Sequence, residues 1–224
     1  MTSRLLLLPV LILFGCGPGS PEPPAAQTPV ASSSDPSAMN DAPKEQMNDE
    51  GTAMGRSDAE RRARSAMQTL GQTLKSRLVS TMTEQGPVAA LDVCAANAQT
   101  LTAEVARDQG VTLGRSSLRL RNPANAAPHW VATWLEEQGE RPAAGVVGIT
   151  QSATRSDGTE VVRVLKPLAI EAPCLVCHGP DEGRSAELSA ALSDRYPSDQ
   201  ATGYAAGDLR GAMWAEATVA RELP

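Results

Sequence analysis

Late in the chain stands Cys174-Leu175-Val176-Cys177-His178-Gly179. Two cysteines three positions apart and an adjoining histidine leave this segment few things to become. At this spacing two thiols can add to the two vinyl groups of a haem, while the histidine comes to lie beneath the ring within reach of iron. The chain has 4 Cys and 2 His, and half of them stand here in this order. Other readings ask for more. A thioredoxin-like pair normally sits near an early βαβ unit, whereas this motif follows a hairpin pattern. A zinc site needs two further ligands, and only Cys94 and His129 remain for that; a structural disulfide is the third alternative. The motif is read as the attachment site of one c-type haem, bound through Cys174 and Cys177, with His178 as an iron ligand.

The N-terminus predicts export. Met1-Thr2-Ser3-Arg4 gives a short positive start, and Leu5 to Phe14 is an apolar run of about ten residues, too short for a bilayer span but suited to a signal peptide. It ends in Leu13-Phe14-Gly15-Cys16, which resembles the bacterial lipoprotein box, with Phe14 a departure from the usual small residue. On that resemblance residues 1–15 are removed, Cys16 is acylated, and the lipid bilayer is a partner. Gly17, not Asp, follows the cysteine, which favours the outer membrane over inner-membrane retention. The expected place is the periplasmic face of a bacterial membrane, where c-type haem is also attached.

Residues 16–57 are rich in Pro, Ala, Ser, Gly and Asp, and are expected to form a disordered tether on the order of 35 Å in mean span. The domain is expected over 58–224. The whole chain's hydrophobic content of 41% with only 3% aromatics requires a core of aliphatic and Ala side chains. The net charge of -6 argues against nucleic acid, which wants a basic footprint.

Within that domain, Ala63, Met67, Leu70, Leu74 and Leu78 recur at helical steps and predict one long amphipathic helix. Gly86-Pro87 breaks the chain, and Leu91, Cys94, Ala98, Leu101 and Val105 form the stripe of a second helix that Gly110 closes. Val111 to Arg121 reads as extended, with Leu118 and Leu120 on one face and Arg115, Ser117, Arg119 and Arg121 on the other. A helix is expected from Asn125 and Pro128 through Trp130, Trp134 and Leu135 to Gln138. Two strand-like runs, Gly145 to Thr154 and Glu160 to Leu168, flank the turn Ser156-Asp157-Gly158-Thr159. A helix near Arg184 to Arg195 and a last strand through Met213 and Val219 follow. The fold class is α+β, an antiparallel sheet flanked by helices with long helices at its N-terminal side.

Leu91-Asp92-Val93-Cys94, Leu118-Arg119-Leu120-Arg121-Asn122-Pro123-Ala124-Asn125, the Cys-x-x-Cys-His motif, and Gly203-Tyr204 through Gly207-Asp208-Leu209-Arg210-Gly211-Ala212 together resemble one family. It is the PAS-like c-type haem domains, long catalogued as a domain of unknown function. They occur alone in the bacterial envelope or as sensory modules of kinases and chemoreceptors. The resemblance covers roughly residues 60 to 220 and implies a PAS-like fold. It also implies a thiolate iron ligand from the early helix, here Cys94, opposite His178. His129, beside Trp130, and Met213, on the last strand, compete for that place; a free cysteine is otherwise often a small buried hydrophobe. Arg115, Arg119 and Arg121 are candidates to pair the haem propionates, since guanidinium forks match carboxylates; the alternative is a solvated strand face.

A haem with two protein ligands predicts a non-catalytic lipoprotein, acting in electron transfer or in sensing of redox state or a small ligand, with a redox or signalling protein partner in the envelope. The alternatives are a peroxidase-type haem enzyme, which needs a base near the iron, and a structural zinc or thiol protein.

Overall fold

A computed structural model describes residues 44–220. The predicted signal peptide, Cys16 and the tether as far as residue 43 lie outside the described residues. The first element, α1, runs Lys44–Gln85, so the helix begins well before Ser57, where the tether was expected to end. The reason lies in small side chains. Ala59, Ala63 and Ala66 are fully buried, and a Cβ on Gly55 would come within 2.6 Å of the Ala220 carbonyl. The helix therefore meets the sheet by backbone approach, a contact that a search for large apolar residues misses. Once nucleated, a helix gains one hydrogen bond for each residue added. Turn-spaced ion pairs support it, Arg62–Asp58 at 2.8 Å and Arg64–Glu60 at 2.7 Å. Arg62 also donates to the carbonyls of Gly110 (3.0 Å) and Thr218 (2.7 Å), tying α1 to two other elements.

Gly86, with φ of 86°, and Pro87 break the chain as expected, and α2 (Pro87–Asp92) follows. It passes through a π-helical turn, Val93–Asn97, into α3 (Ala98–Gln109), which Gly110 ends in the left-handed conformation. Leu91, Ala98, Leu101 and Val105 are all buried, as their stripe requires. The π-turn inserts at Cys94, and such turns are frequent at functional sites.

Among the described residues one sheet forms, of β1 (Val111–Ser116), β2 (Ile149–Thr154), β3 (Glu160–Ala169) and β4 (Leu209–Thr218). Its order is β1-β4-β3-β2 and all neighbours are antiparallel. The fold is thus α+β. The predicted hairpin is β2–β3, closed where the Asp157 carboxylate accepts the Thr159 N–H at 2.9 Å. β4 lies centrally, and everything from Gly211 to Ala217 is buried, because both of its faces are covered. On one face Leu113, Val162, Val164, Met213 and Ala215 pack on Met67 and Leu70 of α1 and Leu101 of α3. On the other, Leu165, Ala212 and Trp214 pack on Val131, Trp134 and Leu135 of α4 (His129–Gln138). Trp214 lies flat on Gly114, where a Cβ would come within 2.4 Å of its ring.

The expected strand from Val111 to Arg121 is shorter. It stops at Ser116, the last residue paired to β4, opposite Ala212. Beyond it the Ser117 hydroxyl donates to the Arg119 carbonyl at 2.6 Å, a local turn that replaces sheet pairing. Leu118 is consequently exposed and Arg121 is 8% exposed, the reverse of the facing predicted from alternation. After β3 come α5 (Leu175–His178) and α6 (Ala186–Arg195). Leu188 and Leu192 of α6 pack on Leu91 of α2, with Cys177 against the same cluster.

Candidate functional site

The Cys174–His178 segment leaves the end of β3 in one tight course. The Ile170 N–H donates to Asp208 O and the Gly207 N–H to Ile170 O, both at 2.9 Å, so the segment leading into β4 holds the base of the loop. Ala172–Cys174 makes a 3-10 turn that runs directly into α5. Gly179 closes that turn with its N–H on Leu175 O at 2.8 Å. A Cβ at Gly179 would fall 2.6 Å from the same oxygen, so glycine is required after the histidine. Both cysteines are free thiols and half-buried.

His178 is oriented by its backbone acceptor. Its Nδ1 lies 2.7 Å from the Ala201 carbonyl. A carbonyl only accepts, so Nδ1 carries the proton and the Nε2 lone pair is left for another partner. Burial, then the Arg121 and Arg210 guanidiniums, push its pKa down to about 3, against the opposing pull of the Ala201 hydrogen bond. The imidazole is a neutral base with one nitrogen fixed, the state in which histidine ligates a metal.

This sets a pH dependence. Between an unfolded value of 6.5 and about 3, the unfolded chain binds a proton at His178 that the folded chain refuses. Stability from this group is present in full above 6.5 and is lost as pH falls toward 3. In the chain without haem, where the imidazole is free to titrate, the urea midpoint is expected to fall across that window, with a shallower slope in His178→Gln. Equal slopes in the two proteins would count against this burial of the imidazole.

Cys94, on the π-turn, belongs to the same locus. Burial pushes its thiol pKa up, while Arg115, Arg121 and Arg210 pull it back and Cys174 adds to the rise. Cys177 is likewise raised by burial, with Arg121 opposing and Cys94 adding. Cys94 thus lies within electrostatic reach of both Cys174 and Cys177, and Arg121 opposes the effect of burial on Cys94 and Cys177 alike.

The predicted arginines separate. Arg115 and Arg121 line a cavity with His178, Ser117, Asn125 and Arg210, whereas Arg119 lines the neighbouring one with Glu140, Arg141 and Tyr204. Among the described residues no carboxylate pairs with Arg115, whose pKa is lowered by burial. Arg121 is engaged internally: Nε lies on Asp199 at 2.9 Å, and Nη2 reaches Cys177 O at 2.6 Å and Ala201 O at 3.1 Å. Arg119 stacks on Tyr204, 3.8 Å from the ring centre, and donates to Thr202 O at 3.0 Å. Arg210 stacks on the same ring at 5.5 Å and donates to Ser117 Oγ at 2.6 Å.

His129 and Met213 lie elsewhere. His129 is exposed and lines a cavity with Trp130, Arg163 and Trp214, on the α4 side of the sheet. Met213 packs on Met67 and Leu70 beneath α1. Among the described residues no three His, Cys, Asp or Glu side chains converge where a metal ion could be held by them.

Sequence reasoning missed Asp199, Tyr196, Ala201 and Arg184. Asp199 takes the Ala201 N–H at 2.7 Å, a local turn that its sequence permits but does not announce. Arg184, nearly buried, donates to Gly179 O at 2.9 Å. Tyr204 stood in a quoted motif without a role; its N–H holds His178 O at 2.9 Å, and its ring meets the His178 ring edge-on at 6.3 Å.

The class so defined is an α+β domain whose Cys-x-x-Cys-His loop is gripped between the residue 117–122 turn and the residue 199–204 loop. The family model described as Tll0287-like matches residues 41–216, and the chain belongs to that family. A solved structure titled "Crystal structure of the cyanobacterial heme-protein Tll0287" shares the fold, with a TM-score of 0.51 at 22% identity over 71% of this chain and 92% of that one. No curated protein matches the chain.

Proposed function

We propose that this chain carries one covalently attached haem c, held by Cys174 and Cys177 with His178 and Cys94 as axial ligands, and serves in electron transfer or redox sensing. The observation that carries this reading is His178, neutral, with Nδ1 fixed at 2.7 Å on Ala201 O and Nε2 free, directly after two free thiols. Membership of the Tll0287-like family and the likeness to a cyanobacterial heme protein support it. When bound, such a group supplies a one-electron ferric/ferrous couple. The chain's own residues orient it and set its surroundings. Arg115, which no carboxylate among the described residues pairs, offers a fork for a propionate on the cavity wall, next to an Arg210 already engaged by Ser117 and Tyr204. Arg121 and Arg119, both engaged by the protein, serve first to hold the loops.

The reading places the domain on the periplasmic side of a bacterial membrane, held by an acylated Cys16 at the end of its tether, with a redox or signalling protein as partner. Two protein ligands on iron favour transfer of electrons over catalysis. A peroxidase-type reading needs a base beside the iron, and the one remaining histidine, His129, lines a different cavity. A zinc reading needs a ligand cluster that the described residues do not form.

Absorption spectra of the oxidised, reduced and CO-treated protein separate the two uses. Electron transfer predicts a reduced spectrum that CO leaves unchanged. A shift in which CO replaces an axial ligand would move the assignment to small-ligand sensing.

A further inference from the structure

We infer that Arg121 and Asp199 are positioning residues that set the reduction potential of the iron through the Ala201 carbonyl, an inference that rests on the haem reading above. One oxygen, Ala201 O, accepts both the His178 Nδ1–H at 2.7 Å and Arg121 Nη2 at 3.1 Å. A cationic donor on that oxygen draws away density that would otherwise strengthen the histidine hydrogen bond. The imidazole is then a weaker electron donor than one bound to a free carbonyl.

The guanidinium does not act alone. Asp199 accepts Arg121 Nε at 2.9 Å and the Ala201 N–H at 2.7 Å, so the carboxylate grips both the arginine and the residue whose carbonyl Arg121 and His178 share. Their side chains are 8% and 11% exposed, so water screens the pair poorly. Arg121 also holds Cys177 O at 2.6 Å, one residue before the ligating histidine. The Leu-Arg-Leu-Arg-Asn-Pro stretch, whose arginines the sequence offered as propionate partners, is thereby the support of the His178 ring.

Reduction adds one electron, taking ferric iron to ferrous and lowering its charge by one. A positive neighbour favours the ferrous state and a negative one the ferric. In the intact pair the two charges offset each other, and removing either exposes the other. Asp199→Asn is therefore expected to raise the potential and Arg121→Gln to lower it. A purely structural role has no reason to give opposite signs.

The experiment is a mediated spectroelectrochemical titration of the holoprotein and of Asp199→Asn, Arg121→Gln and Arg121→Lys, each first assayed for covalent haem as its pyridine adduct. At fixed potential, Asp199→Asn is expected to raise the ferrous-to-ferric ratio about tenfold, or 59 mV for one electron. Arg121→Gln lowers it by a similar factor, and Arg121→Lys, which keeps the charge but not the planar fork, falls between the parent and Arg121→Gln. Should Arg121→Gln not fold, Asp199→Asn against Arg121→Lys decides. Shifts of the same sign, or an unmoved Asp199→Asn, overturn the inference while leaving the haem reading intact. A parent protein without covalent haem overturns both at the first step.

Discussion

Cys94→Ala is expected to keep its covalent haem yet lose the absorption signature of the parent, with a changed Soret band and a reduction potential raised by more than about 59 mV. As an iron ligand the thiolate would push electron density onto the metal and stabilise the ferric state, so its removal would favour ferrous. The structure gives Cys94 two properties that such a ligand needs. It stands on a π-turn, Val93–Asn97, in the helix that runs alongside the Cys-x-x-Cys-His loop. It also lies in the field of Arg115, Arg121 and Arg210, which opposes the effect of burial on the thiol. Unchanged Soret band and potential in the variant would remove Cys94 as a ligand and leave it a buried apolar residue.

The second large effect is steric. Gly211→Ala is expected to destabilise the domain by about 3–4 kcal/mol, a sum of backbone strain and overpacking. Gly211 has φ of 151°, and a Cβ there would lie 2.2 Å from the Ser116 carbonyl and 2.7 Å from the Ser117 Cβ. Neither neighbour can yield: Ser116 ends β1 opposite Ala212, and Ser117 accepts from Arg210 at 2.6 Å. The thermal midpoint is expected to drop by about 10 °C. A midpoint within about 2 °C of the parent would contradict this packing.

What could be read from the sequence had local causes. The two cysteines and His178 declare themselves by spacing alone. Leu91, Cys94, Ala98, Leu101 and Val105 showed the stripe of one helix, and Gly110 its end, because both follow from helical periodicity. The hairpin was legible from Asp157-Gly158. What escaped depends on contacts between distant residues. The early start of α1 rests on Gly55 and Ala59 approaching the sheet, and small residues carry no hydrophobic signal. The turn at Ser117 ends a strand that alternation continues, because the Ser117 hydroxyl turns the chain onto the Arg119 carbonyl although β4 itself runs on to Leu209. Arg121 looked like one of three equivalent arginines, and only its meeting with Asp199, 78 residues on, separates it from Arg115.

The central claim is one haem fixed to Cys174 and Cys177, and the intact mass of the mature chain, produced in a periplasm with haem-attachment machinery, tests it most directly. Under denaturing conditions the lipidated mature chain is expected to carry the added mass of one haem, and to lose that addition when both cysteines are replaced by serine. A mature chain without the haem mass, in which Cys174 and Cys177 both react with an alkylating reagent, would contradict it.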